Sequence, residues 1–323
     1  MKILVTGATG FLGGRACEIL GKEGHEIVGI GRNLSKIPQG VSFVQADLTK
    51  PLPETVWQDV DAVVHCAAKS SAWGKYSDFY RNNVIATKLL AKQALKYGIK
   101  RFVHISSTSV YFDFKDHSNI KEDMILPVTK VNHYATTKYL AEQEILQASK
   151  QGLNAIILRP RAIFGLGDTA LLPRLLKANN TRFFPEFSKI GGPLTDITYV
   201  DNVVEAIKCA LIVDNKYSGQ VYNITNDEHI LLQKTVYKLI TGLGYKYKGK
   251  RLPFALVKTY AYLLEKFYQV FLPKQEPPFT VYSVGLISKD QTFNIDKAKK
   301  ELGYKPKITI EQGLQYVIKN WKY

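Results

Sequence analysis

The chain has 323 residues, of which 46% are hydrophobic and 22% charged, which suits one large domain or two modest ones with a real core. Its net charge of +16 would suit nucleic acid, an anionic membrane surface or acidic substrates. The lysines are scattered, however, and no nucleic-acid-binding motif is present. We therefore expect a solvated basic surface and no nucleic-acid partner.

Targeting and metal signals are also missing from the sequence. No apolar run approaches the ~20 residues that span a bilayer. We expect a strand from Lys2 and no cleavable signal peptide. The three cysteines and six histidines show no metal-ligand spacing. We expect reduced cysteines, no metal site and a cytoplasmic location.

The first half of the chain alternates short apolar strands with helical stretches, which predicts parallel βαβ units. Such runs are typical of parallel strands buried on both faces. We expect strands at 3–6, 26–30, 42–46, 62–66, 102–106 and 155–158, and helices at 12–22, about 83–97 and about 134–150.

The pattern loosens after Pro160, where glycines and prolines interrupt it. A helix at 201–212 and a strand at 220–224 are expected to return to the sheet. The rest is expected to be mostly helical, and Thr309 and Gln312 are spaced as a capping box at the start of its last helix.

The expected fold is therefore α/β, a Rossmann-like doubly wound parallel sheet with a smaller, mostly helical C-terminal substrate lobe. Residues 1–164 and about 196–225 would form the dinucleotide-binding domain. Residues about 165–195 and 226–323 would form the substrate-binding lobe.

A glycine-rich segment joins the first strand directly to the first helix. Gly7 permits a tight turn, Gly10 lets the backbone approach a pyrophosphate, and Gly13 lets helix and strand pack closely. The N–H groups at the helix N-terminus would then face the phosphates. Because repeated βα units follow, this segment predicts a dinucleotide site rather than a plain strand–helix turn.

The end of the second strand bears on which dinucleotide binds. NAD-preferring enzymes usually carry a carboxylate there to hold the ribose 2′-hydroxyl, but here Gly31 takes that position and Arg32 follows. A guanidinium suits a 2′-phosphate. We expect a preference for NADP(H), with NAD(H) as the alternative.

Tyr134 and Lys138 stand at i and i+4 on one helix face. A free tyrosine has a pKa of about 10, too high for efficient proton transfer at neutral pH. A nearby lysine and an oxidised nicotinamide ring, both cationic, would lower that pKa. Tyr134 would exchange a proton with the substrate oxygen while hydride moves to or from the nicotinamide, and Lys138 could hold the nicotinamide ribose.

Two other tyrosine–lysine pairs share this spacing, Tyr111 with Lys115 and Tyr262 with Lys266. Tyr111 lies in a loop after the fifth strand, where no helix aligns the pair. Tyr262 lies in the distal helical lobe. Only Tyr134 begins a helix between the fifth and sixth strands, so we select it.

The Gly-x-x-Gly-x-x-Gly spacing, the Tyr134–Lys138 pair and the serine-rich segment from Ser106 resemble the extended short-chain dehydrogenases, the NAD-dependent epimerase/dehydratase superfamily. The resemblance implies that Ser107 hydrogen-bonds the reacting oxygen and that Ser106 lies nearer the cofactor. It also implies a set of cofactor contacts: Gly7, Thr9, Gly10, Phe11, Leu12, Gly13, Arg32, Asp47, Leu48, Cys66, Ala67, Ala68, Asn83, Ser106, Tyr134, Lys138, Pro160, Ala162 and Ile163.

Segments of the second half indicate the branch of that superfamily. Residues 159–168 and 195–202 look like its 3β-hydroxysteroid dehydrogenase-like branch. Residues 170–175, 276–278 and 291–295 look similar to bacterial 2-alkyl-3-oxoalkanoate reductases, with sterol-4-carboxylate 3-dehydrogenases as close relatives. The resemblance implies interconversion of a ketone and a secondary alcohol on a hydrophobic 3-oxo or 3-hydroxy acid, or on a 3β-hydroxysteroid-like compound.

Two other functions stay open. Sugar-nucleotide epimerases and dehydratases often carry Arg-Asp where this chain has Thr195-Asp196, although Arg174 or Arg182 could replace the missing arginine. A non-catalytic NAD(P)-binding sensor is the remote alternative, and the intact Tyr134 argues against it.

Substrate and partner contacts are less specified. Arg161 is expected to pair with a substrate carboxylate, and Thr108 is a second candidate contact. The apolar stretch 253–272 is expected to pack as an ordinary lobe helix, or else to form a lid over an acyl or steroid chain with peripheral membrane contact. The resemblance also implies a homodimer through the long helices.

Overall fold

The computed structural model describes residues 1–34, 37–181, 183–187, 190–273 and 275–321. Its main layer is a sheet of seven parallel strands. They are β1 (Lys2–Thr6), β2 (Glu26–Gly31), β3 (Ser42–Gln45), β4 (Ala62–His65), β5 (Arg101–Ile105), β7 (Ala155–Pro160) and β12 (Gln220–Ile224). Their spatial order is β12-β7-β5-β4-β1-β2-β3, so the order reverses between β1 and β4, and a crevice opens there at the strands' carboxyl ends.

Ten α-helical segments accompany the strands in the described part of the chain. They are α1 (Phe11–Lys22), α2 (Tyr76–Phe79), α3 (Ala86–Lys96), α4 (His133–Lys150), α5 (Leu171–Thr181), α6 (Val200–Ile212), α7 (Leu232–Gly242), α8 (Phe254–Phe271), α9 (Val281–Leu286) and α10 (Ile310–Asn320). None of the described helices is long and apolar enough to cross a membrane.

Alternation along β1 shows how the sheet is covered on both faces. Ile3 and Val5 pack into one core cluster with residues of α1 and α6, whereas Leu4 packs into the other with residues of α3 and α4. Successive strand residues point to opposite faces, so apolar residues at every position bury both. The Rossmann-like fold class predicted from the sequence is confirmed.

A second, four-stranded sheet holds the smaller lobe against the crevice. It contains β6 (His117–Ile120), β10 (Leu194–Asp196), β13 (His229–Leu231) and β15 (Gln291–Phe293), in the order β13-β10-β15-β6. Two short parallel pairs complete the architecture: β8 (Ile163–Phe164) with β11 (Thr198–Tyr199), and β9 (Phe184–Glu186) with β14 (Gly249–Arg251).

The structure corrects the sequence prediction in two places. The long helix predicted from residue 83 begins earlier, because α2 runs through a π-helical segment, Tyr80–Ile85, into α3. β6 lies in a segment predicted as loop, since its sequence is polar and only Ile120 is buried. The predicted capping box of Thr309 and Gln312 is present at the start of α10. The predicted domain boundaries stay a prediction.

Candidate active site

The glycine segment after β1 forms a cradle that side chains would fill. Gly7 has a φ of +69°, and a Cβ there would lie 2.9 Å from Ala67 N. A Cβ on Gly13 would lie 2.2 Å from Gly7 O, so the first turn of α1 packs directly on the loop. Gly10 caps α1 without a side-chain hydrogen bond, and the first turn holds no acidic residue. These N–H groups suit a pyrophosphate.

Three further residues predicted in this segment surround the cradle. Thr9 lies beside Gly31, since a Cβ on Gly31 would meet the Thr9 side chain at 2.8 Å. Phe11 and Leu12 are half-buried and pack against the cluster that contains Phe164. They fix the direction in which α1 leaves the loop.

The far end of the crevice, after β2 and β3, is cationic. Arg32 is exposed, and together with Arg81 it lowers the pKa of Asp47, although the largest cause of that shift is the hydrogen bond from Thr49 N. Leu48 is half-buried in the core beneath. Arg81 was not predicted, because no motif marks it.

The segment after β4 closes the middle of the crevice. Cys66 and Ala67 are half-buried, Ala68 is exposed, and Cys66 is a free thiol. Asn83 braces this segment: its Oδ1 accepts from Lys69 N at 2.7 Å, and its Nδ2 donates to Thr137 Oγ1 at 3.0 Å. The Asn83 amide thus holds the loop to α4.

Tyr134 lies in the first turn of α4, half-buried at the crevice. Burial raises the pKa of its phenol, and hydrogen bonds from the Ser107 and Ser70 hydroxyls partly lower it. The two serine hydroxyls thus oppose the effect of burial. The expectation that Lys138 and an oxidised nicotinamide together lower this pKa concerns the dinucleotide-bound enzyme and stays a prediction. Ser70 was not predicted, because packing alone brings it to Tyr134.

Lys138 is buried one turn further along α4, and its Nζ donates to the carbonyl oxygen of Ile105. Burial lowers the pKa of Lys138 to about 8, against the opposing effect of Glu142. Glu142 is itself buried and accepts from Arg159 Nε at 2.8 Å and from Arg159 Nη2 at 2.6 Å. A negative group missed by the sequence reading therefore supports this ammonium.

Two hydroxyls beside Ser107 differ in their surroundings. Ser106 Oγ is buried with no hydrogen-bond partner in the described chain. Thr108 is also buried, and its Oγ1 lies 3.5 Å from the carbonyl oxygen of Pro160. The unpartnered Ser106 hydroxyl and the glycine cradle both fit a bound dinucleotide, whereas Thr108 faces the protein interior.

The chain after β7 lines the opposite wall. Ala162 adopts a φ of +37°, a region that non-glycine residues rarely occupy, and Ile163 follows it into β8. The turn from Pro160 is held by hydrogen bonds from Arg161 N to Ile224 O and from Thr198 Oγ1 to Arg161 O.

Arg161 is the charged group of this wall. Its side chain is buried, Nη2 donates to Thr195 Oγ1 at 3.1 Å, and the guanidinium lies 5.6 Å from the centroid of the Phe293 ring. Its Nε has no hydrogen-bond partner in the described chain. Burial lowers the pKa of Arg161, with Tyr282 and Asp196 opposing.

Tyr282 of α9 faces the same space. Burial raises the pKa of Tyr282 to about 12; Arg161 opposes this rise and Tyr134 adds to it. Tyr282 therefore lies within electrostatic range of both groups. Its place is set by the packing of α9, so sequence reasoning missed it.

The crevice mouth is bridged by three half-exposed side chains. Ser71 Oγ donates to Glu276 Oε2 at 3.3 Å, and Arg174 Nη2 lies 3.2 Å from Glu276 Oε1. Arg174, one of the two arginines considered in the sequence analysis, thus belongs to this bridge. Arg182, the other candidate, lies outside the described residues.

The two competing tyrosine–lysine pairs lie elsewhere. Tyr111 is buried and donates to Asn223 Oδ1 at 2.9 Å, and Tyr262 is exposed on α8 with Lys266 Nζ 5.6 Å from its ring centroid.

Comparison with known proteins agrees with this geometry. The NAD dependent epimerase/dehydratase family matches residues 3–225. The chain belongs to that family. It is therefore an NAD(P)-dependent oxidoreductase of the extended short-chain dehydrogenase type, as the sequence predicted.

The chain is also similar to individual proteins over nearly its full length. A 2-alkyl-3-oxoalkanoate reductase of Stenotrophomonas maltophilia (strain K279a) is 32% identical over 98% of this chain and 98% of its own. A decarboxylating sterol-4-alpha-carboxylate 3-dehydrogenase of Mus musculus is 30% identical over 100% of this chain and 91% of its own. UDP-glucuronic acid 4-epimerase from Bacillus cereus, solved with NAD, is 24% identical with a TM-score of 0.76, covering 100% of both chains. The last likeness concerns the fold alone.

Proposed function

We propose that this chain interconverts a ketone and a secondary alcohol on an apolar 3-oxo or 3-hydroxy acid, with NADP(H) preferred. The observation that carries the proposal is the buried Arg161 guanidinium, whose Nε lacks a partner in the described chain. Tyr282 interacts electrostatically with both Arg161 and Tyr134. Asp196 acts on the guanidinium electrostatically, but its oxygens are hydrogen-bonded to His229 and to Phe293 N. A buried cation is costly unless it is paired and hydrogen-bonded, and a substrate carboxylate would supply the missing charge-assisted hydrogen bonds.

Each catalytic residue has a separate task in this proposal. The bound dinucleotide supplies or accepts the hydride. Tyr134 gives its phenolic proton to the ketone oxygen during reduction and takes one from the alcohol during oxidation. The Ser107 and Ser70 hydroxyls hydrogen-bond at the same place and stabilise the charge that develops on the oxygen. Lys138 supplies a cation behind them and a donor for the dinucleotide ribose.

Preference for NADP(H) follows from the cationic end of the crevice. Arg32 and Arg81 both act on Asp47 there, and two guanidinium groups favour a 2′-phosphate. A carboxylate-bearing side chain at position 31 would displace Thr9, because Thr9 side-chain atoms lie within 3.0 Å of where its Cβ would stand. The packing at this position therefore disfavours the usual NAD-selecting group.

A substrate panel tests the proposal with the purified full chain. The panel contains a long-chain 2-alkyl-3-oxo acid, its methyl ester, a 3β-hydroxysteroid and a UDP-sugar, each followed by NADPH or NADP⁺ absorbance. We expect the acid to exceed its ester in kcat/KM by about 10- to 100-fold, the value of a hydrogen bond to a charged group. Faster turnover of the UDP-sugar, or equal turnover of acid and ester, would contradict the substrate assignment.

Tyr134→Phe tests the chemistry separately. It should abolish turnover and leave dinucleotide binding unchanged, since the phenyl ring keeps the packing and the substitution removes only the hydroxyl that carries the transferred proton. Ser109→Ala, a neighbouring buried hydroxyl without a partner in the described chain, is the matched control and should keep activity. Substantial turnover by Tyr134→Phe would remove the proposed role.

Two wider expectations stay predictions. One is a homodimer formed through the long helices, and the other is a cytoplasmic location.

A further inference from the structure

Helix α8 is exposed to an unusual degree for an apolar helix. Only Val257 and Ala261 of its 18 residues are buried. They pack with Phe187 of the preceding lobe segment and Val284 of α9. Seven further large apolar residues are exposed: Leu256, Tyr260, Tyr262, Leu263, Phe267, Val270 and Phe271. Ordinary helix packing, one of the two expectations from the sequence, does not account for them.

Five of these residues form one continuous stripe. Leu256, Tyr260, Leu263, Phe267 and Val270 follow each other at alternating spacings of four and three, which places them on a single helix face. Each is exposed over half or more of its surface. The stripe lies roughly 120° around the helix from Val257 and Ala261, the residues that pack on the lobe, and its exposed side chains are available to a partner.

The segment that leads into α8 is basic. Lys246, Lys248, Lys250 and Arg251 are all exposed, and the last two belong to β14. Lys258 and Lys266 add two exposed cations on α8 itself. Between residues 245 and 272 the acidic residue is Glu265, which accepts a hydrogen bond from Val281 N at 2.8 Å. Residues 245–272 thus combine the apolar stripe with six cations and one engaged carboxylate.

We propose that α8 and the basic segment 246–251 bind the surface of an anionic lipid membrane, with the helix axis in the plane of the interface. A helix with bulky apolar residues on one face and lysines beside it is the form that interfacial helices take. Exposed cations add attraction to acidic lipid headgroups. α8 has 18 residues and is therefore ~27 Å long, which is enough for it to lie flat along the interface.

Charge selects a lipid surface over a second copy of the chain. Two α8 helices packed stripe to stripe would bring the same cations of both copies together, and like charges oppose such contact. An anionic bilayer offers the opposite charge over its whole surface. The net charge of the chain, +16, is also opposite in sign to that of an anionic bilayer.

The position of α8 relates the membrane to the active site. α8 packs on α9, which carries Tyr282 into the space shared with Tyr134 and Arg161. A membrane bound at α8 would therefore contact the same lobe that carries Tyr282. The membrane proposal goes beyond the catalytic one and does not depend on it, because lipid binding is measured without substrate.

Co-sedimentation of the full chain with vesicles tests the proposal. We expect binding to vesicles of phosphatidylglycerol and phosphatidylethanolamine, weaker binding at high salt, and little binding to pure phosphatidylcholine. Leu263→Glu and Phe267→Glu should each weaken binding by about tenfold or more. Ile212→Glu on α6, at a position 81% exposed, is the matched control and should bind as wild type. A double change of Lys248 and Lys250 to glutamate should also weaken binding.

Three results would overturn the proposal. The first is absence of binding to anionic vesicles. The second is binding by the Leu263→Glu and Phe267→Glu variants that equals wild-type binding. The third is wild-type binding to phosphatidylcholine vesicles that equals binding to anionic vesicles. Light scattering provides a fourth criterion. If Leu263→Glu converts a dimer to a monomer, a second copy covers the stripe and the membrane assignment is wrong. Circular dichroism and turnover of a short, water-soluble substrate should match wild type in every variant, which separates lipid binding from folding and catalysis.

Discussion

Glu142 stands one helical turn beyond Lys138 on α4, and its carboxylate opposes the burial that lowers the pKa of the Lys138 ammonium to about 8. Arg159 holds that carboxylate by two hydrogen bonds. The charge of Lys138 near neutral pH thus depends on a buried ion pair that no motif contains.

Activity should fall as pH rises through about 8. Lys138 is charged below its pKa and neutral above it, so the cation is lost on the alkaline side. We expect kcat/KM for ketone reduction to decline about tenfold per pH unit above that point, since kcat/KM reports ionisations of the free enzyme. Lys138→Arg keeps its charge in this range and should show no such decline in its residual activity. A wild-type profile that stays flat to about pH 9.5 would contradict the assignment.

Replacing Glu142 should both shift the pH profile of kcat/KM and lower the free energy of unfolding. Glu142→Gln removes the charge that supports Lys138, so the alkaline limb should shift to lower pH. It also leaves Arg159 buried without its anion, which costs about 3–5 kcal/mol of unfolding free energy. Glu144→Gln, on the same helix, breaks a pair with the exposed Lys88 and should cost less than about 1 kcal/mol. Urea titration and the pH profile measure the two effects.

Loss of the Arg161 charge should affect substrate binding more than turnover. We expect Arg161→Met to raise KM for a 3-oxo acid by about 10- to 100-fold with a smaller change in kcat, and to leave the methyl ester almost unaffected. Arg174→Met, at the crevice mouth, is the comparison variant and should change both substrates equally. An equal loss for acid and ester in Arg161→Met would indicate a structural role instead.

Coenzyme preference should depend on Arg32. We expect Arg32→Glu to lower the ratio of kcat/KM for NADPH over NADH by about tenfold or more, since a carboxylate repels the 2′-phosphate. Lys22→Glu, an exposed residue at the end of α1, makes the same charge change away from the crevice and should leave the ratio unchanged. Equal ratios in wild type and Arg32→Glu would show that Arg32 does not select the coenzyme.

Two glycines of α1 should respond in opposite ways to alanine. In Gly13→Ala the new Cβ would lie 2.2 Å from Gly7 O, so the cradle must open and dinucleotide binding should be lost. Gly21 is exposed in the last turn, with its nearest contact at 3.8 Å. Gly21→Ala should therefore stabilise the chain by about 0.5–1 kcal/mol. Coenzyme titration and thermal unfolding test the pair, and binding retained by Gly13→Ala would contradict the proposed role of that close contact.

Features that depend on one short stretch of sequence were predictable. The glycine cradle depends on a turn and a helix start within one short segment, and Tyr134 and Lys138 depend on helical spacing alone. The apolar runs of β1 and β7 predicted a buried parallel sheet, because strands covered on both faces need apolar residues at every position.

Features that depend on packing between distant segments were not predictable. Ser70 and Arg81 reach the site because the loop after β4 and the π-helical segment converge there. Glu142 follows Lys138 by one turn of α4, but its burial against Arg159 depends on how β7 packs on that helix. Tyr282 depends on how the short helix α9 packs on α8. β6 is polar and pairs with β15, which lies far along the chain. Its strand conformation therefore depends on pairing with β15 and not on its own sequence.

The bridge of Ser71, Glu276 and Arg174 has an energetic consequence. Its ion pair joins side chains exposed by 47% and 37%, and such surface pairs contribute only about 0–1 kcal/mol. Parting the three side chains therefore costs little free energy, and the bridge adds little to the work of admitting a bulky substrate.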